Sequence, residues 1–255
     1  MIDLHCHLLP GIDGGAQDLR EALLLAQAAF ADGITHCVAT PHIVPGRYAN
    51  TLSSITREFE EFRAVLDAEN IPLKLGVAAE VRLSDNILDM VLSDQVPYLG
   101  DWFGFKVLLL DLPSSHIPHG TDKLVRWLRK NKIRPMFAHP ERNKDVIRDF
   151  SNILPFAREG CLFQISAGSV VGQFGELVQR CSYKFLEQDL VTVLASEGLH
   201  NGRRAPALSD ARKAVERIVG VDKSWNLVLG NPGKIAARHF SRNGNTMPCT
   251  LLPHA

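Results

Sequence analysis

Short apolar runs alternate with longer amphipathic stretches along most of the chain. The runs are Met1–Leu4, Thr35–Ala39, Leu73–Ala79, Phe105–Leu110, Pro135–Ala138 (behind Lys132-Ile133-Arg134), Cys161–Ile165 and Leu190–Ala195. They are too short for helices, rich in apolar and β-branched residues, and read as strands buried on both faces, as in a parallel sheet. Between them the period changes. Asp18–Asp32 reads as a helix capped by Asp18 and stopped at Gly33. Leu52–Glu69 carries Phe59, Phe62, Val65 and Leu66 near helical spacing, and Thr121–Lys130, Phe174–Gln188 and Ser209–Val219 are similar, the last ended by Gly220. Strand–helix alternation predicts a parallel α/β fold. Seven units without a Gly-, Pro- or Ser-rich linker fit one domain, a TIM-like (β/α)7 barrel over residues 1–240, followed by a polar tail over 241–255.

Composition narrows the function. The 255 residues are 45% hydrophobic and 22% charged, as in ordinary globular proteins, and 28 Lys plus Arg balance 28 Asp plus Glu. A neutral chain offers no electrostatic ground for broad nucleic-acid binding, though a local basic patch would suit a small anion. The start, Met1-Ile2-Asp3-Leu4-His5, lacks the basic and apolar regions of a signal peptide. No apolar stretch approaches the ~18 residues of a membrane span, so no membrane insertion is expected. The five cysteines (Cys6, Cys37, Cys161, Cys181, Cys249) are odd in number and form no CxxC pair, which suggests reduced cytoplasmic thiols. None has an arginine six positions on, as a cysteine phosphatase needs; those positions hold Ile12, Ile43, Ala167, Glu187 and Ala255. No GxxxxGK[ST] loop or GxSxG elbow is present.

The ionisable residues gather where the strands should end. His5 and His7 follow the first strand, His42 the second, and Glu80, Asp111 and His139 end the next three; Glu197 and His200 follow the seventh. In a parallel barrel that rim builds the active site. Imidazoles and carboxylates together suit a borderline divalent cation such as Zn, Mn or Fe. Two such ions clamp a phosphate and acidify a water for attack on phosphorus, and Glu80 is the candidate to bridge them. A carboxylate emerging from LGVAAEV needs a partner, because burying it alone is costly, and Arg82 is the purely structural alternative. His36, His116, His119 and His239 lack strand-end placement and read as surface or structural.

MIDLHCHLLPGID at the start, ATPH at 39–42, AAEV at 78–81, AHPERN at 138–143 and NPGKI at 231–235 resemble, in order and spacing, the PHP (polymerase and histidinol phosphatase) superfamily. The likeness runs from residue 1 to about 235 and is strongest to the bacterial capsule and exopolysaccharide protein-tyrosine phosphatases. This resemblance implies a distorted (β/α)7 barrel, two or three divalent metals with manganese foremost, and cytoplasmic hydrolysis of phosphotyrosine on a bacterial tyrosine kinase. It also implies that homo-oligomers can form. His5, His7, His42, Glu80 and His139 match the metal motifs. Arg142, with Arg203 or Arg204, matches arginines that grip the phosphate, for which a guanidinium fork is suited.

Three positions depart from the family pattern. Gly11-Ile12-Asp13-Gly14-Gly15 has Gly14 where an aspartate ligand is usual, which leaves Asp13 as the candidate there. Asp111 stands for a glutamate, as ligand and candidate acid. Ser196-Glu197-Gly198-Leu199-His200-Asn201 stands for SDAHN with one residue inserted. The leading expectation is therefore a metal-dependent protein-tyrosine phosphatase of polysaccharide synthesis. The alternatives are a small-molecule phosphomonoesterase of the histidinol-phosphatase kind and a regulatory protein that binds phosphopeptides without turning them over.

Overall fold

The computed structural model describes residues 1–200 and 204–241. Its strands are β1 (Ile2–Cys6), β2 (His36–Ala39), β3 (His42–Ile43), β4 (Lys74–Val77), β5 (Glu80–Arg82), β6 (Gly100–Trp102), β7 (Phe105–Asp111), β8 (Ile133–Ala138), β9 (Leu162–Ser166) and β10 (Val193–Ala195). The main helices are α1 (Leu19–Ala31), α2 (Leu52–Ala68), α3 (Asn86–Leu92), α4 (Thr121–Lys130), α5 (Lys144–Arg148), α6 (Leu154–Arg158), α7 (Ala167–Val170), α8 (Glu176–Glu187) and α9 (Ser209–Val219). The helix signals act as read. The Asp18 side chain accepts from Glu21 N at 2.8 Å to cap α1. Gly33 and Gly220, at φ +91° and +86°, end α1 and α9 in the left-handed region.

The strands form a single α/β domain of parallel sheets, one in the order β1-β2-β4 and one in the order β10-β9-β8-β7-β5-β3, with β6 antiparallel to β7. The expected single closed sheet is not what the pairing shows. Two of the predicted strands are each followed by a short second strand that the pattern did not show: β3 comes after β2 across Thr40-Pro41, and β5 comes after β4 across Ala78-Ala79. Pro41 has no N–H to give to a ladder, which interrupts the pairing between β2 and β3; in both cases the first strand lies in one sheet and the second in the other. The sheets remain stitched there by Ala78 N donating to Ala39 O (2.9 Å) and Glu80 N to Pro41 O (3.1 Å). At the other end Glu197 N donates to His5 O and His7 N to Gly198 O, both at 2.8 Å, which ties the segment after β10 to β1.

Side-chain alternation divides the core in two. Ile2, Leu4, Val38, Val107, Leu109, Met136, Ala138, Leu162, Val193 and Ala195 pack on one face of the strands. Leu108, Leu110, Phe137, Phe163, Ile165 and Leu194 face the other way, against α1, α4, α8 and their neighbours. Each fully buried leucine or phenylalanine stabilises the fold by about 1.5–3 kcal/mol. Among the described residues no helix is long and apolar enough to cross a membrane. The tail expected over 241–255 lies outside the described residues, Ser241 apart.

Candidate metal centre

The strand ends of β1, β3, β5, β7 and β8 converge on Glu80. This carboxylate is fully buried, as are His5 and His7. Residues two apart in extended chain share a face, so the His-Cys-His order at the end of β1 sends both rings to one side and Cys6 to the other. His5 Nε2, His7 Nε2 and His42 Nδ1 stand 3.2, 3.6 and 2.8 Å from Glu80 Oε2. These approaches lack hydrogen-bond geometry, and all four atoms are buried without a hydrogen-bond partner. His139 Nε2 meets the other oxygen, Oε1, at 2.7 Å. The structural alternative for Glu80 does not hold: Arg82 turns to Asp111, Nη2 to Oδ2 at 2.8 Å.

Neighbours behind the histidines fix which nitrogen faces inward. Asp13 Oδ2 accepts from His7 Nδ1 at 2.7 Å, and a carboxylate only accepts, so the free lone pair sits on Nε2. Gln164 Oε1 accepts from His5 Nδ1 at 2.8 Å with the same effect. Asp13 also accepts from Gly15 N and His42 N, each at 2.8 Å. Asp13 thus stands behind His7 and orients it. Burial opposes its charge, but His7 and the two backbone donors hold its carboxyl below the usual range. Gln164 and Asp3, whose carboxylate accepts from Ser196 N at 3.0 Å and from His5 N at 3.2 Å, escaped the sequence reading. Gln164 carried the same signal as Glu80: one polar residue inside an apolar run, CLFQI.

The electrostatics follow from stacking one carboxylate against four imidazoles. Burial opposes a charge on His5, yet Glu80 offsets this and raises the His5 pKa to about 9. Burial, with Arg142 nearby, pulls His139 down to about 4, and burial also lowers His7. Burial and the charge of Glu80 push Asp111 up to about 7, against the pull of Arg82. The donor set fits a divalent cation. His5, His7 and Glu80 form one group with donor atoms within 4.8 Å of one another, and His42, Glu80 and Asp111 form another, with Glu80 common to both. Buried polar atoms without a partner are otherwise costly, and a divalent cation would satisfy these four, taking the place of the proton that Glu80 favours on His5.

Beside this cluster a cavity of about 220 Å³ is lined by His42, Arg82, Asp111, His139, Arg142 and Glu197, among others. Glu197 Oε1 accepts from Arg142 Nη2 at 2.5 Å and lies 2.7 Å from Arg204 Nη2. Its Oε2 accepts from Ser166 Oγ at 2.7 Å. The two guanidinium groups lie over the Phe174 ring, 4.9 and 5.3 Å from its centroid. Glu197 is 3.8 Å from His139 Nε2, at the edge of the cluster. Both His139 and Glu197 adopt positive φ, +36° and +52°, a strained backbone of the kind that gathers at functional sites.

One predicted position is not brought in: the His200 side chain is 43% exposed and its Nδ1 lies 3.9 Å from Glu21. Arg203 lies outside the described residues. At Gly14 the space is filled: an added Cβ would stand 2.9 Å from the Tyr48 hydroxyl. The Tyr48 ring stacks on His42 at 5.6 Å and 7°. Cys6 is packed, fully buried with Sγ 3.5 Å from Val38 O, and burial raises its pKa.

On a parallel α/β scaffold, these buried histidines and carboxylates could hold divalent cations, beside paired arginines that suit a phosphoryl anion. Comparison with known proteins makes the family specific. Residues 1–237 match the model for capsular polysaccharide synthesis, CpsB/CapC, and the chain belongs to that family. It is 32% identical over 201 residues to the tyrosine-protein phosphatase YwqE of Bacillus subtilis, covering 79% of this chain and 78% of that one. It is 30% identical over 197 residues to the putative tyrosine-protein phosphatase CapC of Staphylococcus aureus, covering 77% and 76%. Among solved structures it superposes, with TM-score 0.86 and 27% identity over 94% of this chain and 96% of the other, on one of the metal-dependent tyrosine phosphatases YwqE of Bacillus subtilis and CpsB of Streptococcus pneumoniae.

Proposed function

We propose that this chain is a metal-dependent protein-tyrosine phosphatase of capsule or exopolysaccharide synthesis, acting in the cytoplasm on a bacterial tyrosine kinase. The observation that carries the reading is the set of buried, unpartnered atoms His5 Nε2, His7 Nε2, His42 Nδ1 and Glu80 Oε2. The family and the relatives' activity support the substrate. The two sheets, stitched at β2/β4 and again between His5 and Glu197, are read as the wall of the distorted seven-unit barrel.

His5, His7 and Glu80 would hold one cation, and His42, Glu80 and Asp111 a second, with His139 on the free side of Glu80. Manganese is the proposed ion, with iron or zinc accepted by the same donors. The bound metals supply Lewis acidity: positive charge for phosphoryl oxygens and an acidified water. The chain does the rest. Asp13 and Gln164 hold the His7 and His5 rings so that the correct nitrogen points inward. Arg142 and Arg204 present fork donors to the phosphoryl group as charge builds on its oxygens. Glu197 occupies those forks in the free protein, so an incoming phosphoryl group takes its place on them. Phe174 keeps both guanidinium groups flat and parted from bulk water on one side. A tyrosine leaving group has a pKa near 10, far below an alkyl alcohol, so little help from a general acid is needed.

The experiment is hydrolysis of a phosphotyrosyl peptide and of a phosphoseryl peptide by the metal-loaded protein. Hydrolysis of the first and not the second supports the reading. Uptake of the peptide without phosphate release would favour a binding protein, a role for which Glu197 on both arginines is the relevant observation.

A further inference from the structure

Far from the metal centre, three cations gather on one ring. Arg129 Cζ, Lys132 Nζ and Arg134 Cζ lie 4.2, 5.2 and 5.0 Å from the Phe105 centroid. Phe105 opens β7, Arg134 lies on β8 beside it, and Arg129 sits in the last turn of α4. Lys132 occupies the left-handed turn between α4 and β8, at φ +60°. This is the end of the strands opposite to the metal centre. Phe105 and Asp111 stand six residue steps apart, at the two ends of β7, roughly 20 Å at about 3.3 Å per residue.

Like charges brought together need a counterion, and among the described residues no carboxylate pairs with any of the three. Two acidic side chains close by, Asp122 on α4 and Glu159, whose neighbour Gly160 lies against the Arg129 guanidinium, pair instead with Arg126. Residues 201–203 and 242–255 contain no aspartate or glutamate. Two guanidinium atoms of the cluster, Arg129 Nη1 and Arg134 Nε, are buried without a hydrogen-bond partner. Burial, with Arg129 close by, lowers the pKa of Arg134, the mark of a charge held against its preference. A buried N–H left unmade costs stability, and fixed guanidinium forks match the oxygens of an oxyanion.

We propose that Arg129, Lys132 and Arg134, held together on Phe105, form a phosphate-binding site at this end of the sheets, independent of the metal centre. The phosphate is either free or the headgroup of an anionic lipid. The hairpin joining β6 to β7 lies next to it and carries Phe103, 78% exposed, where a bilayer surface would meet it.

The test titrates inorganic phosphate into the metal-loaded wild type and the double variant R129Q/R134Q by calorimetry. The wild type should take up one phosphate more than the double variant, with hydrolysis of a small aryl phosphate unchanged between them. F105L, which keeps apolar bulk but removes the ring face, should weaken the same binding step roughly tenfold; it stands in if the double variant fails to fold. Equal phosphate uptake by wild type and variants would overturn the proposal. Sedimentation with phosphatidylcholine vesicles, with and without phosphatidic acid, then names the source. Retention on the acidic vesicles that the double variant loses assigns a lipid headgroup, whereas phosphate uptake without retention assigns free phosphate.

Discussion

Replacing Asp13 by alanine separates a ligand from a residue that orients one. In the structure Asp13 accepts three hydrogen bonds: His7 Nδ1 at 2.7 Å, and Gly15 N and His42 N at 2.8 Å each. D13A removes the group that fixes the His7 tautomer and ring. Loss of such an outer partner weakens metal binding by about 10–100-fold, which is about 1.4–2.7 kcal/mol. It also leaves backbone donors of Gly15 and His42 unmade, at a folding cost of about 1–3 kcal/mol if no water replaces the carboxylate. D13N keeps one acceptor oxygen but turns an N–H₂ toward a donor, so it should fall between wild type and D13A. The assay is competition for Mn²⁺ against a chromogenic chelator, with metal content measured at saturation. The account predicts a weaker affinity with an unchanged number of ions per chain. Loss of a whole equivalent at saturation would make Asp13 a direct ligand, and an unchanged affinity would remove it from the site.

Further outcomes follow from the same geometry. R142A takes away a charge-assisted fork worth about 1.5–3 kcal/mol, so KM for a phosphotyrosyl peptide should rise roughly 10–150-fold while metal content stays constant; a fall in metal content with KM unchanged would contradict the role of Arg142. His36, set edge-on to Phe240 at 4.8 Å, is pulled down to about 4 by burial, Lys74 and the N-terminus. A depressed histidine favours the folded state above its unfolded pKa, near 6.5, and loses that contribution as pH falls toward 4. H36Q should therefore flatten the decline in melting temperature between pH 7 and pH 4.5, and an identical decline in both proteins would refute the assignment.

Much of the fold was written in periodicity. The runs around Val107–Leu110 and Phe137–Ala138 are continuous because both faces of those strands are buried. What periodicity missed is local. The run Leu73–Ala79 covers β4 and stops short of β5, which belongs to the other sheet, and β3, two residues long, follows a proline and cannot be seen by pattern. At the site, His5, His7, His42, Glu80 and His139 do meet, although His42 and Glu80 open the short strands β3 and β5 rather than closing longer ones. The partnership of Arg82 with Asp111, the position of Asp13 behind His7 and the Tyr48 ring beside Gly14 depend on loop paths. Loop paths arise from tertiary packing, which linear spacing does not encode. His200, placed by motif order, is held instead by backbone hydrogen bonds with Arg204 near the one-residue insertion.

The most direct test of the central claim is hydrolysis of a phosphotyrosyl peptide by chelator-stripped protein, with and without Mn²⁺, in the wild type and in E80Q. Glu80 is the one carboxylate common to both donor groups. The account predicts turnover by the wild type only when metal is restored, and the joint loss of bound metal and turnover in E80Q. Hydrolysis by the stripped wild type, or normal metal content and turnover in E80Q, would contradict it.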